Sequence, residues 1–237
     1  MRYISQSQIN LFRSCPYAYA LRYLHKKEGI WWDPSIIEVG SRVHEAIDIY
    51  YKKYYKTDIS EQEILNTVYT ILRNQWDTML SADYLKKAYD CICHFSSFAY
   101  NNICRGNLEK PLTEVRIYSD EVMGIIDYLD LVNKKVIDFK TNTRAGISYE
   151  NKMQAVMYKI LVKDKFNIDI PYFTFQFLYP NETRVVKYNE KTMKVKDDID
   201  MYINKIKEAW KTKTFPKEPR TPKACNGCQF SYFCGGI

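Results

Sequence analysis

The stretch from Gly124 to Thr141 constrains this chain more than any other. Val122–Val132 and Lys135–Thr141 alternate with a period of two, as strands do, and Asn133-Lys134 between them reads as a two-residue turn. A turn centred there pairs Leu131 with Val136, Leu129 with Asp138 and Asp127 with Lys140. Asp127, Asp138 and Lys140 then share one face at one end of a hairpin, because side chains two apart point the same way. A one-residue slip would separate them. The rest of that face is Ile, Leu and Val, where an unpaired charge is expensive. Two adjoining carboxylates resist joint ionisation and call for a divalent cation, and hard Mg2+ or Mn2+ matches oxygen ligands. Such an ion suits phosphodiester hydrolysis, with Lys140 orienting water or stabilising the pentacoordinate transition state. On spacing alone, an ordinary Asp–Lys ion pair at a sheet edge carries equal weight.

Around this hairpin the pattern is that of an α/β protein. Residues 5–27 read as a helix capped by Ser5 or Ser7, with a break or a helix start at Cys15-Pro16. A loop through Gly29–Pro34 leads to an amphipathic helix opening at Gly40-Ser41, with Val43, Ala46, Ile47, Tyr50, Tyr51 and Tyr54 on one face. Helices follow over 61–77 and 82–105, the second ending near Gly106. After Pro111 the period becomes two over Thr113–Ser119 and through the hairpin. Tyr149–Lys163 reads as a helix, Tyr172–Tyr179 and Arg184–Tyr188 as strands, and 191–212 as a long helix with Ile199, Tyr202, Ile203, Ile206 and Trp210 buried. The expected organisation is a helical N-terminal part over 1–110, a core sheet and helix over 111–190 and a C-terminal helix with a cysteine-bearing segment over 191–237, all one compact unit.

Seven cysteines, an odd number without a secretion signal, argue for metal binding over a disulfide scaffold. Cys225, Cys228 and Cys234 form a C-x-x-C-x5-C group, with Cys15 as the natural fourth thiolate. Zinc and an iron–sulfur cluster satisfy this ligand count equally. Cys91, Cys93 and Cys104 are expected to pack as small buried thiols in a helix. His25 and His94 have no matching context, and Asp48 and Asp130 read as solvent-facing or supporting. The net charge of +7 favours a polyanionic partner or serves simple solubility, and 21 Tyr beside many Lys would supply stacking platforms in a basic groove or equally be core and surface filler. No apolar run is long enough to span a membrane, and the N-terminus lacks a signal-peptide pattern, so a cytoplasmic location is expected.

Gly124-Ile-Ile-Asp127 followed by Asp138-Phe139-Lys140 resembles the PD-(D/E)XK nuclease superfamily, in its RecB-like branch. Gly40-Ser-Arg-Val-His44 and Gln154-Ala-Val-Met-Tyr158 resemble that branch's Gly-x-x-x-His and Gln-x-x-x-Tyr motifs, in the family's order, and Glu114 stands where the branch often has a first-strand glutamate. Asp-Phe-Lys in place of Glu-x-Lys is usual within the branch. The resemblance implies a restriction-endonuclease-like mixed sheet flanked by helices. It also implies metal ligation by His44, Asp127, Asp138 and the Phe139 carbonyl, a catalytic role for Lys140, and Gln154 and Tyr158 lining the site. One cysteine upstream and C-x-x-C-x5-C at the end resemble the iron–sulfur exonucleases of this branch, the CRISPR-associated family and AddB-type helicase–nuclease subunits. That implies a 4Fe-4S cluster on Cys15, Cys225, Cys228 and Cys234, linking the two ends and clamping helices around a DNA channel. The implied activity is 5′-to-3′ exonuclease action on single-stranded DNA, with endonuclease activity in some members. Spacer acquisition in CRISPR antiviral immunity, or recombination and repair, would be the setting. Without the phosphate-cradling Gly-x4-Gly-Lys-Ser/Thr motif, unwinding would fall to helicase or CRISPR integration partners. The alternative is a catalytically silent iron–sulfur DNA-binding adaptor.

Overall fold

The computed structural model describes residues 3–30, 33–76, 81–101 and 110–235. In chain order these form β1 (Ile4–Ser5), α1 (Gln6–Ser14), α2 (Pro16–Tyr23), α3 (Pro34–Ile49), which continues as a π-helical turn over Tyr50–Tyr54, α4 (Glu61–Asn74) and α5 (Ala82–Ala99). Then come β2 (Leu112–Tyr118), β3 (Val122–Asp130), β4 (Lys135–Lys140), α6 (Tyr149–Phe166), β5 (Tyr172–Phe177), β6 (Glu182–Lys187), α7 (Glu190–Met193), α8 (Val195–Thr212), α9 (Lys223–Asn226) and α10 (Ser231–Cys234).

The strands make one mixed sheet in the order β1-β3-β4-β5-β6, with β2 also on β3. β4 and β5 are parallel, which requires a crossover, and α6 supplies it. One face packs under α1, α6 and α8 through Val136, Phe173, Phe175, Met153, Leu161, Ile199 and Ile203. The other packs under α3, α4 and α5 through Tyr128, Ile137, Phe139, Val43, Val68 and Phe95. The α/β mixed sheet flanked by helices is therefore as the sequence leads one to expect. Among the described residues, no helix is long and apolar enough to cross a membrane.

The expected interruption at Cys15-Pro16 is present and divides the 5–27 segment into two helices, because Cys15 is extended (φ −164°) and Pro16 opens α2 at the position where its missing N–H costs nothing. The Ser5 hydroxyl caps α1 by accepting the Gln8 N–H. Gly40 does not open α3, which begins at Pro34 under an Asp33 cap. That glycine is a packing residue, since a Cβ there would lie 3.3 Å from Thr141 Oγ1, just after β4. Tyr54, expected in the buried stripe, is 47% exposed because the helix widens into its π-turn there. The expected helix end near Gly106, and Cys104, lie outside the described residues.

The hairpin register also differs from expectation. β3 and β4 pair Tyr128 with Ile137, Leu129 with Val136 and Asp130 with Lys135. The loop is thus Leu131–Lys134, four residues rather than two, with Lys134 left-handed at φ 53°. Asp130 sets this loop: its buried carboxylate accepts the Asn133 N–H and the Asn133 side-chain amide, both at 2.9 Å. The shift is two residues, so β4 keeps its faces, and Val136 rather than Asp138 comes opposite Leu129. Asp130→Ala is expected to lower stability by about 1–2 kcal/mol, as loss of hydrogen bonds to a buried carboxylate does, measured as a lower urea midpoint. An unchanged midpoint would remove Asp130 as the determinant of the turn.

Candidate active site

β3 does not alternate evenly along its length. Ile125 and Asp127 look toward α3, lining a recess with Ser41, His44, Glu45, Asp48 and Glu114. Gly124 lies under α6, where a Cβ would meet Tyr158 and Leu161. Regular alternation would put Tyr128 under α6 as well, yet its ring packs 5.6 Å from Tyr51 on the α3 side. The faces therefore exchange at Asp127. On β2, Thr113 pairs with Tyr128 and Val115 with Ile126, leaving Glu114 opposite Asp127. Glu114 has φ 46°, a left-handed conformation that a residue with a Cβ adopts at a cost of about 1 kcal/mol or more. This paired irregularity turns both carboxylates toward α3, which brings His44 down from above.

The result is a compact acid–imidazole group. His44 Nδ1 lies 3.4 Å from Asp127 Oδ2 and 3.7 Å from Glu114 Oε1. One ligand atom from each of the three lies within 4.8 Å of the others, the only such group of metal-capable residues among those described. Asp127 Oδ2 also accepts the Phe139 N–H at 2.8 Å, so Phe139 enters the site through its amide. Burial alone would keep the His44 imidazole neutral, but Asp127, Glu114 and Asp138 outweigh it and carry its pKa up to about 9. Burial likewise drives the Asp127 carboxyl up to about 7, with His44 opposing and Asp138 and Glu114 adding to the rise. A group held this way gathers protons for want of a stronger positive charge.

Asp138 and Lys140 lie on the α6 side of β4, with Asp138 still close enough to His44 and Asp127 to raise the pKa of both. Lys140 Nζ lies 2.7 Å from Asp138 Oδ2 and donates to Gln154 Oε1 at 3.2 Å. The Gln154 amide in turn donates to Asp138 Oδ1 at 2.5 Å. Asp138 Oδ2 is buried and, beside the Lys140 ammonium at 2.7 Å, accepts no hydrogen bond. Tyr158, one turn beyond Gln154, donates its hydroxyl to the Ile125 carbonyl at 2.5 Å. Sequence reasoning had not put Glu114 among the metal ligands; its signal is its register position opposite Asp127, which appears only once β2 is paired. Asp48 supports the site by accepting the Thr113 hydroxyl at 2.6 Å. His94 bonds the Leu178 carbonyl through Nδ1 and stands apart from the group.

Cys15, Cys225, Cys228 and Cys234 line one cavity of about 510 Å³ where α2 meets the C-terminal segment. Backbone bonds from Arg220 N–H to Ser14 O and from Ile30 N–H to Gln229 O hold the two ends together. No three of these thiols come within 4.8 Å of one another. They do feel each other: burial pushes the Cys228 thiol up, the Phe230 N–H pulls it back, and Cys15, Cys234 and Cys225 push it further. Cys91 is fully buried on α5 and Cys93 partly so.

The pattern of the PD-(D/E)XK nuclease superfamily matches residues 3–235. No curated protein matches the sequence. Among solved structures, a provisionally assigned exonuclease from Eubacterium rectale aligns with a TM-score of 0.53 at 11% identity, over 87% of this chain and 79% of that one. At that identity the likeness is one of fold.

Proposed function

This chain belongs to the PD-(D/E)XK nuclease superfamily, and from that premise we propose that it is a divalent-metal-dependent deoxyribonuclease of the RecB-like branch. Its substrate would be single-stranded DNA, cut from a 5′ end. The observation that carries this reading is the gathering of His44, Glu114 and Asp127 within 4.8 Å, beside the Asp138–Gln154–Lys140 chain.

The donor set, one imidazole and several carboxylates, fits Mg2+ or Mn2+. His44, Glu114, Asp127 and Asp138 would hold the ion, with the Phe139 carbonyl as a further ligand. Bound there, the cation would polarise the phosphoryl oxygen and lower the pKa of the attacking water. Lys140 presents a fixed positive charge at the end of β4, where negative charge develops on the phosphorus oxygens as the water–phosphorus bond forms and the bond to the leaving oxygen breaks. Gln154 holds Lys140 and Asp138 in one orientation, so neither reorganises during reaction. Tyr158 fixes α6 to the β3 backbone. The net charge of +7 favours the DNA through counterion release.

We assign a 4Fe-4S cluster to Cys15, Cys225, Cys228 and Cys234. Their convergence on one cavity supports it. CRISPR spacer acquisition is the setting we favour, with other proteins supplying any unwinding.

The test is incubation of the purified protein with end-labelled single-stranded DNA in Mn2+, Mg2+ or EDTA. Degradation that needs the metal and is lost in Lys140→Ala is expected. Salt-sensitive DNA binding with no cleavage in either metal would instead mean an adaptor. Cys228→Ala is expected to lose visible absorbance and bound iron and to melt earlier, since a ligand's binding energy is folding energy. A wild-type protein that is colourless and carries zinc would sink the cluster assignment.

A further inference from the structure

The face of α6 that holds the catalytic pair continues toward the N-terminal end of the helix. Glu150, Gln154 and Tyr158 follow at four-residue steps on one stripe. Gln154 binds Asp138 and Lys140, whereas Glu150, one turn earlier, pairs with Arg13 of α1. The four residues between them are about 6 Å of rise. At that point Arg13, Tyr149, Asp198, Tyr202 and Arg220 line an open recess of about 340 Å³, within the size range of small-ligand sites. Nothing in the mechanism above uses it.

The chemistry of the recess is mixed, and that decides what it fits. The Arg13 guanidinium lies 4.4 Å over the Tyr149 ring and is balanced by Glu150. The Tyr149 hydroxyl donates to Asp198. Lys205 lies 5.6 Å from the Tyr202 ring. Arg220 is exposed at the rim, its backbone anchored by the bond to Ser14. A bare phosphate would meet Asp198 and a guanidinium already neutralised, so this is no simple anion trap. An unstacked nucleotide meets complementary groups: the Tyr202 ring for its base, the Asp198 carboxylate as acceptor for an exocyclic amine, and the exposed Arg220 for its phosphate, with the buried Arg13–Tyr149 pair as the wall behind.

We propose that this recess is a nucleotide subsite, which holds one unpaired nucleotide of the DNA strand at a fixed position from the bond that is cut. A base in duplex is held by pairing and stacking and enters such a recess only after extrusion. The subsite therefore selects single-stranded over paired DNA, and it rests on the nuclease reading.

The test uses single-stranded oligonucleotides, each lacking one base at successive positions from the cleaved bond, with affinity and cleavage both measured. The wild type is expected to lose about tenfold in affinity, the order of one base–aromatic stack, only when the missing base is at one fixed position from that bond. Arg220→Ala and Tyr202→Leu should abolish this position dependence and raise KM more than they lower kcat, while Tyr202→Phe should keep both. Tyr202 also packs against the core, so the exposed Arg220 carries the test if Tyr202→Leu folds poorly. A wild type that cuts DNA without position dependence overturns the subsite, as does a dependence unchanged in Arg220→Ala. A wild type that cuts no DNA in Mn2+ overturns the nuclease reading and the subsite with it, an outcome recognisable by the absence of any product.

Discussion

Asp127→Asn is expected to lower DNA cleavage at least about a thousandfold, the equivalent of roughly 4 kcal/mol of lost transition-state stabilisation, while the apo protein stays as stable as before or becomes more so. The two effects have one cause. Asp127 stands among Glu114, His44 and Asp138, and burial pushes its carboxyl up to about 7. Its ionised form is thus disfavoured by folding and is tolerated for what it can bind. Asparagine keeps the shape and an oxygen to accept the Phe139 N–H, now at 2.8 Å, but supplies no charge to a cation. Thermal melting with and without Mn2+ separates the parts. In EDTA the two proteins should melt alike or the variant higher. Added Mn2+ should raise the wild-type midpoint, since a ligand that binds only the folded state stabilises by mass action, and leave the variant where it is. Cleavage by Asp127→Asn within tenfold of the wild type would remove Asp127 from the metal site.

What could be read from the sequence followed from local periodicity; what could not depended on partners far along the chain. The period-two runs gave the strands of the hairpin, and the Asp-x-Lys spacing put Asp138 and Lys140 on one face, as the structure has them. The turn was misplaced because Asp130, chemically able to cap a loop, reads as just another charged residue until its burial is known. Asp127 was expected on the face of Asp138. Its turn toward α3 depends on Glu114 opposite it adopting φ 46°, and no pattern in either strand announces that strain. Gly40-Ser41 reads in the sequence as a helix start, whereas α3 runs through it from Pro34. The glycine's contact is Thr141, a hundred residues on, and close packing there outweighs its poor helix propensity.

Gly124→Val is expected to cost about 3 kcal/mol of stability, the upper range for forcing atoms into a packed site, lowering the melting temperature by about 10 °C in a chain of this size. Gly124 stands out in the sequence only as the start of Gly-x-x-Asp. Its reason is on another element: a Cβ there would lie 2.6 Å from Tyr158 Cε1 and 2.9 Å from Leu161 Cδ1. Leu161 could turn aside, but the Tyr158 ring cannot, because it is buried and its hydroxyl holds the Ile125 carbonyl one residue along β3. Relief would have to come from α6 moving away from the sheet. That motion draws Gln154 off Asp138 and Lys140, so cleavage should fall along with stability although no charged group is touched. A double-mutant cycle with Tyr158→Ala tests the cause, since removing the ring opens the space the valine needs. Strong non-additivity, with Gly124→Val costing little stability in the Tyr158→Ala background, is the expected result. Additive costs would place the collision elsewhere and leave the glycine of this motif with a role other than letting α6 lie against β3.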